Sequence, residues 1–231
     1  MGGEDHRRIP QKSLEPQLAR IYNLVMHADW SVELGREDEA LEFPWPSPWA
    51  SSDADAPRYY DLKRHPELLL NVTEAYHPVE MGEFLTSANS SSSIFETVKC
   101  DIWFTEELSE EEEIFDAACK SSAYIDVIFT DQHARFDQDG HEQLAQRMCK
   151  LLALVPEISA SVEFALRRCY FHHDNDATKD SDPGFYLTVY VSGYGDDAPE
   201  AWQRWGIALK LVENALLQVS AQARAANPAS K

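Results

Sequence analysis

The 231-residue chain carries 40 Asp and Glu against 20 Lys and Arg, a formal charge of −20, with 44% hydrophobic and 11% aromatic residues. That content excludes collagen-like and wholly disordered chains, and the length is enough for a hydrophobic core without disulfide or metal staples. The acidic balance disfavours direct binding to nucleic acid or to anionic membranes, both of which draw on Lys and Arg.

The longest apolar run, Leu151 to Val155, is far too short to cross a bilayer. The N-terminus runs from Arg7-Arg8 into Ile9-Pro10-Gln11-Lys12 and lacks the apolar centre of a signal peptide. A cytoplasmic protein is therefore expected. Cys100, Cys119, Cys149 and Cys169 form no CxxC pair and read as buried free thiols.

Residues 1–12 and 223–231 read as disordered ends. From Ser13, the apolar positions Leu14, Leu18, Ile21, Val25, Ala28 and Val32 step by three and four, which predicts an amphipathic helix. Three prolines interrupt Phe43-Pro44-Trp45-Pro46-Ser47-Pro48-Trp49 and forbid regular structure there; the two tryptophans read as a hydrophobic latch. Leu68 to Val72 reads as a short strand, and Ser90 to Ser93 as a linker. Residues 13–93 are expected to pack on a main domain at 94–222.

That second half alternates clearly. Val98, Cys100, Ile102 and Phe104 against Lys99, Asp101 and Trp103 predict a strand with one solvated face. Ser109 to Glu112 has capping-box spacing and predicts a helix with an acidic first turn. Strands are expected at Ala123 to Thr130, Ser161 to Phe171 and Phe185 to Tyr194. A helix should start at Asp139-Gly140-His141-Glu142 and bury Leu144, Met148, Leu151, Leu152 and Val155. The last helix opens at Asp197-Ala198-Pro199-Glu200 and buries Trp202, Trp205, Leu209, Val212, Leu216 and Val219. The sum is an α+β chain with a mostly antiparallel sheet, amphipathic helices on one face, and a ferredoxin-like order β-α-β-α-β-β-α. The last helix's seam also suits a homodimer.

Chemical motifs are scarce. No GxSxG elbow occurs, no cysteine has a protease-like context, and Gly193-Tyr194-Gly195 precedes two aspartates that repel phosphate. Asp174, Asp176, Thr178 and Asp180 match alternate positions of a calcium loop, but Lys179 and Phe185 replace its glycine and closing glutamate. Asp131, His133, Asp137 and His141 gather near a strand's end. With His172 or His173 they constitute the ligand set of a conceivable metal-dependent hydrolase.

The stronger signal is a surface. Thirteen acids lie between Asp101 and Glu142 against only Lys120 and Arg135, and strand parity turns Trp103, Tyr186, Tyr190 and Tyr194 away from the helices. A non-catalytic interaction protein is expected, without cofactor, whose partner is a basic protein. Glu110, Glu111, Glu112 and Glu113 would steer association, and Trp103, Tyr186 and Tyr190 would anchor it. An inhibitor or immunity-type protein covering a basic substrate groove is the sharpest form of this expectation, and an adaptor or chaperone a softer one. A small-molecule pocket between the sheet and the proline-tryptophan loop is a further alternative.

Overall fold

A computed structural model describes residues 26–34, 41–44, 59–154, 158–172 and 180–226. Six strands make one sheet: β1 (His27–Glu33), β2 (Leu41–Phe43), β3 (Phe95–Thr105), β4 (Cys119–Phe129), β5 (Ala160–His172) and β6 (Ser181–Gly195). Their order is β1-β5-β6-β4-β3, with β2 also on β5. The pairs β3/β4, β4/β6 and β5/β6 are antiparallel. Strands β1 and β2 follow one another along the outer edge of β5, both parallel to it. Among the described residues, three α-helices accompany the sheet: α1 (Val79–Ala88), α2 (Gln138–Leu152) and α3 (Ala198–Ala226). The expected α+β class and mostly antiparallel sheet are present.

One face of the sheet is the core. Alternate residues Ala123, Ile125 and Val127 of β4, Val162, Phe164 and Leu166 of β5, and Leu187, Val189 and Val191 of β6 are buried against all three helices. From α3, Trp205, Leu209, Val212 and Leu216 repeat at three and four residues and pack on that layer. Gly193 and Gly195 lie within β6. They let α3 approach the sheet: a Cβ at Gly193 would stand 2.1 Å from the Trp205 amide nitrogen, and one at Gly195 2.5 Å from that of Ala201. Helix α2 is capped by Asp137, whose carboxylate accepts the Gly140 N–H at 3.1 Å, so the cap lies upstream of the expected Asp139.

Several expectations are corrected. The N-terminal helix cannot run to Val32, because 27–33 is strand; Ala28 and Trp30 pack on the core while Asp29 and Glu33 are exposed, a period of two that the β5 edge selects. Residues 13–25 lie outside the described residues, as do 45–58 with Trp45 and Trp49, and 173–179 with most of the calcium-like loop. Pro66–Asn71 is a 3₁₀ helix with proline in its first turn, where Leu68 to Val72 suggested a strand. Glu110–Phe115 is a single 3₁₀ segment ended by Asp116 in the left-handed region (φ 46°), not an α-helix. Only Ile114 and Phe115 are apolar there, too few to form a helical stripe. The ferredoxin-like alternation is therefore not formed at this point, and β3 and β4 pair directly as neighbours.

The Ser90 to Ser93 run is a pinned turn rather than a linker. Lys63 Nζ donates to the carbonyls of Ser90, Ser93 and Phe95 at 2.8–2.9 Å. Asn89 joins the end of α1 to β3, donating to Thr97 Oγ1 at 2.7 Å and accepting the Thr97 N–H at 3.0 Å. At the other end of the chain, α3 continues to Ala226, past the expected fraying point at 223.

Candidate binding face

The second face of the sheet is built from the opposite parity of the same strands. Register places three rows across it. Trp103 of β3 lines up with Ser122, Ser192 and Ser161. Asp101 lines up with Tyr124, Tyr190, Glu163 and Asp29, and Lys99 with Asp126, Thr188, Ala165 and Ser31. Among the described residues, no helix packs on these rows.

The middle is aromatic and the rim charged. Trp103, Tyr124 and Tyr190 form a chain of tilted rings with centroids 6.4 and 6.3 Å apart. Trp103 is 37% exposed and both tyrosines are half-buried. Lys99 Nζ lies 5.6 Å from the Tyr124 centroid and the Arg167 guanidinium 5.5 Å from that of Tyr190, so each tyrosine already receives a cation from its own sheet. Arg167 also bonds Glu33 at 2.6 Å, and this carboxylate together with Tyr190 keeps its charge despite burial. Asp29, Asp101, Glu33 and Glu163 stand exposed around the aromatics.

Beneath them is one buried carboxylate. Asp126 is 5% exposed and accepts the Thr188 hydroxyl at 2.6 Å. Burial pushes its pKa up to about 6, against the opposing pull of the Thr188 hydrogen bond, Lys99 and Arg167.

Both ends of the face are closed. At one end the 3₁₀ turn folds over it: Phe115 stacks on Tyr194 at 3.8 Å and 7°. Glu112 there accepts from Lys120 Nζ at 2.6 Å, from Tyr194 Oη at 2.9 Å and from the Ser109 N–H at 2.8 Å. At the other end, Phe43, Val98, Ile128, Cys169, Phe171 and Tyr186 form a second, smaller core with Tyr59 packed on it.

The expected anchors and steering residues thus separate into two sets. Trp103 and Tyr190 share the half-open middle. Tyr186 has the same parity but is 6% exposed inside the second core, so the expectation of an outward anchor fails for it; the covering residues Phe43 and Tyr59 come from distant sequence. Tyr194 is likewise buried under Phe115. Glu110, Glu111 and Glu113 are exposed on the border nearest Trp103, whereas Glu112 is tied into the fold. Tyr124 and Asp126 were not singled out from sequence, although Tyr124, Asp126 and Ile128 alternate with Ala123, Ile125 and Val127 as plainly as the residues of β6 do.

The metal-ligand candidates do not converge. Asp131 accepts the N–H groups of His133 and Ala134 at 2.8 and 3.0 Å, and Asp137 caps α2. His141 is buried, with Nδ1 2.8 Å from the Asp137 carbonyl and its ring edge-on to Phe129; burial lowers its pKa. Among the described residues, no three His, Cys, Asp or Glu side chains stand together as ligands; His173 lies outside those residues. All four cysteines are free, Cys119 and Cys169 buried and Cys100 and Cys149 half-buried, and burial pushes their thiol pKa values up, to about 12 at Cys100 and about 11 at Cys149. No helix among the described residues is long and apolar enough to cross a membrane. Compared with known protein families, curated proteins and solved structures, the chain matches none.

Proposed function

We propose that this chain is a non-catalytic interaction protein that binds a basic protein partner through the second face of its sheet. The observation that carries the reading is the chain of rings Trp103, Tyr124 and Tyr190, half-exposed, rimmed by Asp29, Asp101, Glu33 and Glu163, with Glu110, Glu111 and Glu113 at its border. Aromatic anchors in the middle of a polar rim are the pattern in which a few side chains hold most of a protein interface's energy. Acidic side chains around them steer a cationic partner and raise its association rate. The two tyrosines already hold Lys99 and Arg167 over their rings, so a partner's Lys or Arg would meet a surface whose chemistry suits cations. An inhibitor covering the basic groove of another protein is the version that best uses both features.

The test begins with affinity capture from the host lysate at low and high salt, followed by binding kinetics on the captured protein. Tyr190→Ala is expected to weaken binding about tenfold or more, mainly through faster dissociation. Glu110, Glu111 and Glu113 changed together to Lys should slow association and flatten its salt dependence. A captured partner that binds the Tyr124→Ala/Tyr190→Ala variant unchanged, or that is indifferent to both salt and the charge reversal, refutes the reading.

A further inference from the structure

At the end of the sheet away from the acidic turn, a cavity of about 430 Å³ opens between β2, the ends of β5 and β6, and the segment 59–64. Its volume lies in the range of small-molecule sites. Aromatic rings form the walls: Phe43 meets Tyr59 and Phe171 edge-to-face at 4.9 and 5.5 Å, and Phe136 meets Phe171 at 5.6 Å. The inner lining is charged. The Arg135 guanidinium lies 5.4 Å from the Phe43 centroid and 5.1 Å from that of Phe171. Its Nε donates to the Phe129 carbonyl at 2.8 Å, and one terminal nitrogen bonds Glu96. Both side chains of that pair are nearly buried, 14% and 10% exposed.

Six charged side chains line the cavity: Lys63, Arg64 and Arg135, and Asp61, Glu96 and Asp182. Arg135 is the cation paired with Glu96, and burial lowers the Lys63 pKa. Burial raises the Glu96 pKa and so weakens its hold on negative charge. The Lys63 amine is saturated by three backbone carbonyls, so it adds no free donor. Arg135 keeps its second terminal nitrogen. His172 also lines the cavity; its side chain is 6% exposed, its Nε2 lies 3.1 Å from Glu42, and its Nδ1 has no partner. A ligand group would relieve that buried, unpaired nitrogen.

We propose that this cavity binds a small organic carboxylate carrying an aromatic or branched apolar body. The carboxylate meets the remaining edge of the Arg135 guanidinium, whose planar donors match its two oxygens. The apolar body lies against Phe43, Phe136 and Phe171. A phosphate dianion is a poorer match, because one guanidinium edge supplies too few donors beside a carboxylate. The cavity lies at the opposite end of the sheet from the acidic turn, and the inference does not depend on the partner-binding reading.

The experiment is calorimetric titration of the full chain at neutral pH with benzoate, phenylacetate, benzamide, benzylammonium and inorganic phosphate. The carboxylates should bind saturably, and the amide, the amine and phosphate at least tenfold more weakly. Glu96→Gln removes the internal competitor for Arg135 and should tighten carboxylate binding severalfold. The Arg135→Gln/Glu96→Gln variant removes the pair together, leaves no lone buried charge, and should weaken it tenfold or more. The proposal is overturned if benzylammonium or phosphate binds as well as benzoate, if neither carboxylate binds, or if the folded double variant binds unchanged. Should the double variant not fold, the ranking of the five probes on the natural chain and the Glu96→Gln shift decide the matter.

Discussion

Replacing Asp126 by Asn should make the protein more stable at neutral pH. The side chain is 5% exposed on the binding face, and its pKa is raised from 3.8 to about 6 with burial the largest cause. A rise of about two units corresponds to about 3 kcal/mol at about 1.36 kcal/mol per unit. Between those two values the folded chain binds the proton more tightly than the unfolded chain does, so stability falls as pH rises through that window. At pH 7 the ionised carboxylate therefore costs the fold about 3 kcal/mol relative to its protonated form, with the attractions of Lys99 and Arg167 already included. Asn keeps an oxygen for the Thr188 hydroxyl, which donates at 2.6 Å, and cannot ionise. Urea unfolding of both proteins at intervals from pH 4 to pH 8 reads the effect directly. The variant's advantage should be near zero at pH 4, grow through pH 5 and 6, and level off at about 2–3 kcal/mol at pH 7 with an unchanged m-value. A difference that is the same at every pH, or a variant less stable at pH 7, refutes the reasoning. The same substitution should weaken binding of a basic partner, since an ionised carboxylate held under Tyr124 and Tyr190 against its own stability is what a face for cations requires.

Gly193→Ala should be severely destabilising, because the new Cβ would stand 2.1 Å from the Trp205 amide nitrogen and either α3 or β6 must move; a melting experiment should show a loss of about 3 kcal/mol or more, and a loss under about 1 kcal/mol contradicts the packing. Glu112 and Glu111 should behave differently although they are neighbours. Burial works against the Glu112 charge, but hydrogen bonds from Lys120, the Ser109 N–H and Tyr194 outweigh it and hold its pKa below the ordinary carboxylate value. Its stabilisation is then complete above the unfolded pKa and is lost as pH falls through the lowered folded one. Glu112→Gln should lower stability at pH 7 and lose its effect in acid, while Glu111→Gln should change stability by no more than about 0.5 kcal/mol at either pH.

Strands that alternate on their own were legible. In β5 and β6 the residues that pack on the helices are apolar and the intervening ones mixed, and the period of two is unbroken over several residues; in β3 it holds only beyond the register shift between Thr97 and Lys99, so Val98, expected beside Cys100 and Ile102, packs in the second core instead. The sequence around 27–33 was ambiguous, because Ala28 and Val32 step by four in continuation of Leu14 to Val25 and also belong to an alternation with Trp30. What decides is the β5 edge, where His27 meets Ser161 and Glu33 meets Arg167, contacts across more than 130 residues that no local pattern carries. The turn at 110–115 failed for the opposite reason. Its capping spacing is real and Glu112 does accept the Ser109 N–H, but a cap without an apolar stripe supports one turn and not a helix.

The binding face was half legible for a similar reason. Parity along one strand tells which side of the sheet a residue faces, and it placed Trp103 and Tyr190 on the side away from the helices. Parity says nothing about what lies above that side. Tyr186 and Tyr190 occupy equivalent positions on β6, yet Phe43 and Tyr59 close over the first, while Arg167, reaching across from β5, is what rests on the second. Asp126 illustrates the same limit in energetic form. In sequence it is one of thirteen acids in an acidic stretch; in the sheet it stands between the Tyr124–Tyr190 row and the second core, and its burial there gives a solvated-looking aspartate a pKa of about 6. A charge count therefore identifies the acidic face, but the residues that give that face its chemistry are chosen by cross-strand register.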